Sequence, residues 1–292
     1  MTEKELLTNF KEGINELAEA NGDTEEATIA KLKARYDGYH FEENTVGIYN
    51  PFSVLNTLSR LRYKDYWFET GTPTFLVDLL KMHNYRLPDM TKERVSDDVI
   101  NSVDSLSTNP IPVIYQSGYL TIKGYDERFK KYLLGFPNKE VEEGFLNFLL
   151  PLYCSAGDRS AFMVDEFVKD VEAGHVEQFM NRLTAFFTDN NYPVAGEAEL
   201  YFQNAMYLVF KIMGFYTQVE RPTSDGRIDA IIQTPNYIYV IECKLDRTAD
   251  EAIKQIENNG YAEPFLMDKR KLYKIGVSFS SETRGVAEYK IK

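Results

Sequence analysis

The most constraining feature of the sequence is a stretch at 226–245, GRIDAIIQTPNYIYVIECKL, which reads as two β-strands joined by a short turn. Residues 228–233 and 237–245 are rich in β-branched and aromatic side chains, and a Thr-Pro-Asn break separates them. A turn centred on the Pro-Asn pair sets the register of the hairpin. In that register Asp229 lies opposite Glu242, with the two side chains on one face of the sheet.

Lys244 follows Glu242 by two residues, so its side chain is expected on the same face. Two carboxylates that face each other repel unless a cation lies near them. The lysine could supply this cation, and a divalent ion such as Mg²⁺ would suit carboxylate oxygens better. The sequence therefore leaves two interpretations, a metal site or a structural cluster of ion pairs. The cost of burying opposed carboxylates favours the metal site.

Asp229 followed by Glu-Cys-Lys at 242–244 resembles the D…ExK signature of the PD-(D/E)XK nuclease superfamily. The flanking helices agree with this resemblance, since the preceding one carries Glu199 and the following one carries Gln255. The wider order is similar to the nuclease-like C-terminal domain of a bacterial family, in which it is fused to an AAA-ATPase-like domain. The segments that carry this similarity are GRIDAIIQTPNYIYVIECKLD, AIKQI, GYAEPF and KIGVSFSSETR.

The resemblance implies hydrolysis of phosphodiester bonds with Mg²⁺ or Mn²⁺ as the cofactor. Asp229, Glu242 and Glu199 would bind the metal. Lys244 would orient or deprotonate the attacking water, or stabilise the developing charge. Gln255 would contact the substrate or a water molecule.

Glu199 and Gln255 each have an ordinary structural explanation as well. Glu199 could be a glutamate stabilised by the helix dipole, and Glu197 is a rival for the same role. Gln255 could be an exposed amide of an amphipathic helix.

The expected substrate is nucleic acid, DNA ahead of RNA, and two groups of cations are candidates to bind it. Arg227 lies two residues before Asp229 on the same strand face, where a phosphate contact and a salt bridge are both plausible. Lys269, Arg270 and Lys271 form a short basic run, for which a solvated charged turn is the alternative.

The charge is unevenly distributed. The chain has 33 lysines and arginines against 45 aspartates and glutamates, a net charge of −12, and no broad electropositive surface is expected. The segment from Glu199 to Lys292 has 13 residues of each sign, so the whole acidic excess precedes it. This acidic N-terminal region suggests a protein partner or a homo-oligomer contact.

The N-terminal half is predicted to be mostly helical, with helices over 2–20 and from Asn50-Pro51. RYDGYHF, IYNPFSVLNTL and YWFETGTPTFLVDLL resemble the C-terminal end of the family's ATPase-like domain. No phosphate-binding G-x-x-x-x-G-K-[ST] loop occurs, so ATP hydrolysis is not expected. We expect a fragment that begins within the ATPase-like domain, or a natural relict of it.

The predicted fold class is α+β, with three domains. Residues 1–94 would be the helical ATPase-like part. Residues 95–192 would be a helical connection with a short helix and a hairpin, as in a winged helix. Residues 193–292 would be an α/β restriction-endonuclease-like domain, in which helices flank a mixed sheet. Its expected order is one helix, three strands, a second helix and a last strand at 272–278.

No apolar run is long enough to span a bilayer, and the N-terminus lacks a signal-peptide core. Two cysteines indicate no disulfide framework, so a cytoplasmic location is expected. The three histidines show no zinc-ligand spacing. The alternative to a nuclease is a catalytically inactive nuclease-like module that acts in protein interaction or regulation.

Overall fold

The computed structural model describes residues 1–68, 74–100, 109–153, 160–187, 198–214, 216–220 and 230–292. The chain divides into two compact units, Met1–Phe148 (unit 1) and Leu149–Lys292 (unit 2). Helices predominate in unit 1 and a mixed sheet with helices forms unit 2, which confirms the α+β class. The three domains predicted from the sequence, 1–94, 95–192 and 193–292, stay a prediction.

Unit 1 contains short helices and a small antiparallel sheet of order β1-β3-β2. Its elements are α1 (Glu3–Asn9), α2 (Lys11–Asn21), α3 (Glu25–Tyr36), α4 (Pro51–Arg60), α5 (Thr74–Met82), β1 (Arg94–Val95), α6 (Asp97–Ile100), α7 (Ile111–Gln116), β2 (Thr121–Asp126), β3 (Lys131–Gly135) and α8 (Lys139–Leu149). The predicted helix followed by a hairpin is present as α7, β2 and β3.

The start of α4 shows how the sequence fixes a helix end. The Asn50 side chain accepts hydrogen bonds from the backbone N–H groups of Phe52 and Ser53, at 3.1 and 3.5 Å. Pro51 occupies the first helical position, where its missing N–H is not needed. The helix predicted over 2–20 is instead two helices, because Phe10 leaves the helical conformation at φ −125° and ψ 24°.

Unit 2 is built on a five-stranded sheet of order β4-β5-β6-β7-β8. Its elements are α9 (Ser160–Ala173), α10 (Val176–Phe187), α11 (Ala198–Met213), β4 (Gln218–Glu220), β5 (Ala230–Gln233), β6 (Tyr237–Leu245), α12 (Ala249–Asn258), β7 (Lys271–Ser280) and β8 (Gly285–Ile291). The pair β6–β7 is parallel and the other pairs are antiparallel, so the sheet is mixed as predicted.

Strand β8 corrects the expected order of elements, in which the chain ended with one strand at 272–278. The structure has β7 over Lys271–Ser280 and then β8 over Gly285–Ile291. Most side chains of β8 are exposed or half-buried, because it forms an edge of the sheet. It therefore lacks the apolar run by which the central strand is recognised.

Helices cover both faces of β6. On one face Val240 packs with Ile253 and Ile256 of α12. On the other face the Tyr239 hydroxyl donates a hydrogen bond to the Val171 carbonyl of α9 at 2.7 Å. Since side chains alternate along a strand, Glu242 and Lys244 share the α12 face with Val240.

Within the described ranges, no helix is long and apolar enough to cross a membrane.

Candidate active site at the carboxyl end of a buried strand

The register of the β5–β6 hairpin is the one predicted from its turn. Gln233 pairs with Ile238, and the pairing continues without a shift to Ala230 opposite Ile241. Asp229 and Arg227 lie outside the described residues, so their positions stay predictions.

Glu242 is a buried charged residue near the end of β6, with 1% of its surface exposed. The Lys244 ammonium is 2.8 Å from its Oε1 atom, and the lysine side chain is 19% exposed. A buried carboxylate is costly unless it is paired or hydrogen-bonded. The lysine therefore offsets the charge of Glu242 and also reaches towards solvent.

The parallel partner strand shapes the surroundings of this pair. Glu242 lies beside Gly276, and Lys244 lies beside Ser278. A Cβ atom at Gly276 would collide with the Ala249 carbonyl oxygen at the start of α12. Glycine at this position therefore lets α12 approach the sheet next to Glu242.

The chain that leaves β6 is held in an unusual conformation. Asp246 has a φ of 53°, in the left-handed region that non-glycine residues rarely adopt. Its carboxylate accepts hydrogen bonds from the Ser281 N–H at 2.8 Å and the Ser281 hydroxyl at 2.7 Å, which lower the pKa of Asp246. The sequence did not predict this contact between Asp246 and Ser281, because a polar turn after β7 does not show which residue it binds.

Glu199 lies in the first turn of α11 and is exposed. Its Oε1 atom accepts a hydrogen bond from the Gln203 side chain at 3.0 Å. The neighbouring Phe202 contacts Phe279, with ring centroids 4.5 Å apart, and Phe279 pairs with the last residue of β6. Glu199 is thus at the same end of the sheet as Glu242, although α11 packs on the opposite face.

Gln255 lies on α12, the helix that packs on the Glu242 face, and it is half-buried. Ala252, one helical turn before Gln255, and Ile256, directly after it, are both buried. The structure therefore places Gln255, Glu242 and Lys244 on one side of the sheet.

Comparison with known proteins gives the superfamily of this part of the chain. A family model described as "PD-(D/E)XK nuclease superfamily" matches residues 197–289. Residues 197–289 form a PD-(D/E)XK nuclease superfamily domain. Nucleases of this superfamily generally use divalent metal ions.

A protein of Azotobacter chroococcum mcd 1, described as "Uncharacterized protein in vnfD 5'region", is 29% identical over 273 residues. The similarity covers 90% of this chain and 52% of that protein, so the chain spans about half the length of this relative. No solved structure matches the chain.

The donor atoms of the nuclease superfamily domain suit a hard divalent cation. Glu242 offers carboxylate oxygens at the end of a central strand, and such oxygens are the preferred ligands of Mg²⁺. Among the described residues, no group of three His, Cys, Asp or Glu side chains is arranged to hold a metal. Asp229, the second predicted ligand, lies outside those residues.

The basic run at 269–271 lies at the opposite end of the domain's sheet. Lys271 pairs with Tyr237 and Gly276 with Glu242. Five residues of strand separate the two ends by roughly 17 Å. The structure therefore does not bring this run next to Glu242.

Two members of the run have structural contacts. Arg270 donates hydrogen bonds to both Asp268 carboxylate oxygens, to the Thr234 carbonyl at 3.2 Å and to Gln233 Oε1 at 2.9 Å. The hydrogen bonds from Arg270 to Asp268 hold the pKa of Asp268 down, at about 2. The Lys271 ammonium lies 4.6 Å from the centre of the Tyr273 ring. Arg270 thus ties the β5–β6 turn to the start of β7.

Proposed function

We propose that the chain is a metal-dependent nuclease that hydrolyses phosphodiester bonds of DNA or RNA through Asp229, Glu242 and Lys244. The observation that carries this proposal is the buried ion pair of Glu242 with Lys244, at the end of the central strand of a nuclease superfamily domain. A buried carboxylate paired with a partly exposed ammonium near the end of a central strand can act on a charged substrate.

The proposed roles rest on the resemblance and, for Glu242 and Lys244, on the ion pair that they form. Glu242, with Asp229 and Glu199, would hold Mg²⁺ or Mn²⁺. A bound ion of this kind polarises the phosphate and lowers the pKa of a coordinated water.

Lys244 is partly exposed and close to Glu242, so it can orient the attacking water or stabilise the negative charge that develops on the phosphate. Gln255, on the same side of the sheet, positions the substrate or a water molecule.

We also propose a cytoplasmic protein in which residues 1–94 derive from the C-terminal part of an AAA-ATPase-like domain. Residues 95–192 would connect this part to the nuclease domain. The resemblance of the Asn50-Pro51 helix and its neighbours to that family supports this proposal. The acidic excess before Glu199 supports a contact with a protein partner or a second copy of the chain.

A second candidate function is a catalytically inactive nuclease-like module that regulates a protein partner. The net charge of −12 favours it, because nucleic acid is itself strongly negative.

Cleavage assays distinguish these functions. Linear duplex DNA, single-stranded DNA and RNA are incubated with the protein and Mg²⁺ or Mn²⁺, and the products are resolved on gels. We expect wild type to cleave at least one substrate and Asp229→Asn and Glu242→Gln to lose about 100-fold or more in rate.

Glu140→Gln is the control, because it makes the same change at a buried glutamate of unit 1. Equal cleavage by wild type and Glu242→Gln would reject the proposed site. No cleavage by wild type on any substrate would favour the inactive module.

A further inference from the structure

We propose that Arg247 binds a phosphodiester group of the nucleic acid, on the face of the sheet that carries Glu242 and Lys244. This inference rests on the proposed nuclease function and names a substrate contact that the sequence motif does not contain.

The backbone of Arg247 lies beside the proposed catalytic pair. Arg247 is three residues beyond Lys244, in the connection between β6 and α12. The Ser278 hydroxyl donates a hydrogen bond to the Arg247 carbonyl, and Ser278 is the strand partner of Lys244. Since Ser278 shares a face with its partner and α12 covers that face, the connection passes over the side of the sheet that carries Glu242.

Residues on both sides of Arg247 are hydrogen-bonded to strands β7 and β8 or to the turn between them. Asp246 donates its N–H to the Phe279 carbonyl at 2.8 Å, and its carboxylate is bound by Ser281. On the other side the Ala249 N–H donates to Glu288 Oε1 at 2.7 Å. The arginine therefore projects from a backbone that is already ordered, which lowers the entropic cost of binding a ligand.

The charge of Arg247 is available to a ligand. The residue is exposed, and its guanidinium forms no ion pair or hydrogen bond with any residue that the structure describes. Three lysines of unit 2 are already engaged by acids: Lys244 with Glu242, Lys290 with Asp250 and Lys292 with Glu257. A guanidinium presents a planar fork of N–H groups that matches two phosphate oxygens.

This position differs from the basic run predicted from the sequence. That run lies at the other end of β6, where Arg270 is bound by Asp268 and the β5–β6 turn. Arg247 and Lys269 thus offer two exposed cations at opposite ends of one sheet, and only one end carries Glu242 and Lys244.

Binding without cleavage tests the proposal. The full chain is titrated into fluorescently labelled single-stranded and duplex DNA in EDTA, and anisotropy is recorded over a series of salt concentrations. We expect Arg247→Ala to weaken binding about tenfold. We also expect it to reduce the slope of log K against log salt by about 0.7–0.9, which corresponds to one lost phosphate contact.

Two further variants make the test specific. Arg247→Lys keeps the charge but not the fork, so it should retain the salt slope with an intermediate affinity. Lys254→Ala removes an equal charge from an exposed position on α12 and should bind like wild type. Melting temperatures of all variants establish that each is folded.

Three outcomes would overturn the proposal: unchanged binding by Arg247→Ala, an equal loss in Lys254→Ala, or a loss in Lys269→Ala that exceeds the loss in Arg247→Ala. If wild type cleaves nucleic acid and Arg247→Ala binds normally, only this inference fails. If wild type neither binds nor cleaves any nucleic acid, the proposed function fails with it.

Discussion

Two glutamates are buried among the residues that the structure describes, and their surroundings differ. Glu140 in unit 1 has 0% of its surface exposed and Glu242 in unit 2 has 1%. Glu140 accepts hydrogen bonds from the Ser53 hydroxyl at 2.8 Å and the Trp67 N–H at 3.0 Å, which are neutral donors. Glu242 is paired with the Lys244 ammonium at 2.8 Å.

This difference separates a structural acid from a candidate catalytic one. Burial raises the pKa of Glu140 from 4.5 to about 7, although the Trp67 and Ser53 hydrogen bonds lower it. Glu140 thus connects α8 to α4 and to the segment at Trp67 by hydrogen bonds. Its raised pKa means that it keeps its proton to a higher pH than an exposed glutamate does. Glu242 instead has a partly exposed countercharge near the carboxyl end of the central strand, where a substrate phosphate or a metal could approach. Burial alone does not distinguish the two glutamates, whereas the charge and exposure of the partner make Glu242 the candidate.

The largest expected effect comes from removing the countercharge of Glu242. Lys244→Met should lower the free energy of unfolding by about 3 kcal/mol, because it leaves a buried carboxylate without its ammonium. Urea unfolding followed by circular dichroism measures this loss.

The double variant Glu242→Gln/Lys244→Met should recover most of that stability, since no uncompensated charge remains. A double variant as unstable as Lys244→Met would contradict the pairing.

The pH dependence of Glu140 should be the next largest effect. Folded protein keeps a proton on Glu140 that the unfolded chain loses between pH 4.5 and about 7, so this glutamate reduces stability as pH rises through that window. Glu140→Gln should remove the dependence and be more stable than wild type at pH 8 by roughly 2–3 kcal/mol.

The fluorescence of Trp67, the single tryptophan, reports the unfolding of unit 1 in both proteins. If the free energies of unfolding of the variant and wild type differ by the same amount at pH 5 and pH 8, protonation of Glu140 does not affect stability.

Ser53→Ala should have a smaller effect, about 1 kcal/mol of destabilisation, because it removes one buried hydrogen bond to Glu140. The loss of that bond should also raise the pKa of Glu140 further. Repeating the pH series on this variant checks both expectations. If Ser53→Ala is less stable but its stability falls over the same pH range as wild type, the Ser53 hydroxyl contributes to packing and does not affect the pKa of Glu140.

Arg270→Ala should have the smallest effect. Its hydrogen bonds to Asp268 are exposed and those to Thr234 and Gln233 are only partly buried, so we expect a slight drop in melting temperature. The depressed pKa of Asp268 should rise towards its usual value, which NMR titration of the carboxyl carbon would detect. A large loss of nucleic-acid affinity with no change at Asp268 would instead support the sequence-based role of this arginine.

The central strand and its hairpin could be predicted from the sequence for a local reason. Tyr237–Leu245 is a nearly continuous apolar run that ends in charged residues, and the turn before it sets the register with β5. The cap at Asn50 is equally local, because one side chain and the following proline determine it.

Other features depend on contacts between distant parts of the chain. The break at Phe10 has no sequence signal, since apolar residues continue at helical spacing through it. The position of the 269–271 run follows from the parallel pairing of β6 with β7, which joins residues more than 30 positions apart. Glu140 resembles any acid in the first turn of a helix, and only the packing of Ser53 and Trp67 shows its role.

The most direct test of the central claim is an isothermal titration of Mn²⁺ into wild type, Glu242→Gln and Glu140→Gln. We expect wild type and Glu140→Gln to bind with similar affinity and Glu242→Gln to lose measurable binding. Absence of binding in wild type, or equal binding by Glu242→Gln, would contradict a metal site at the end of β6.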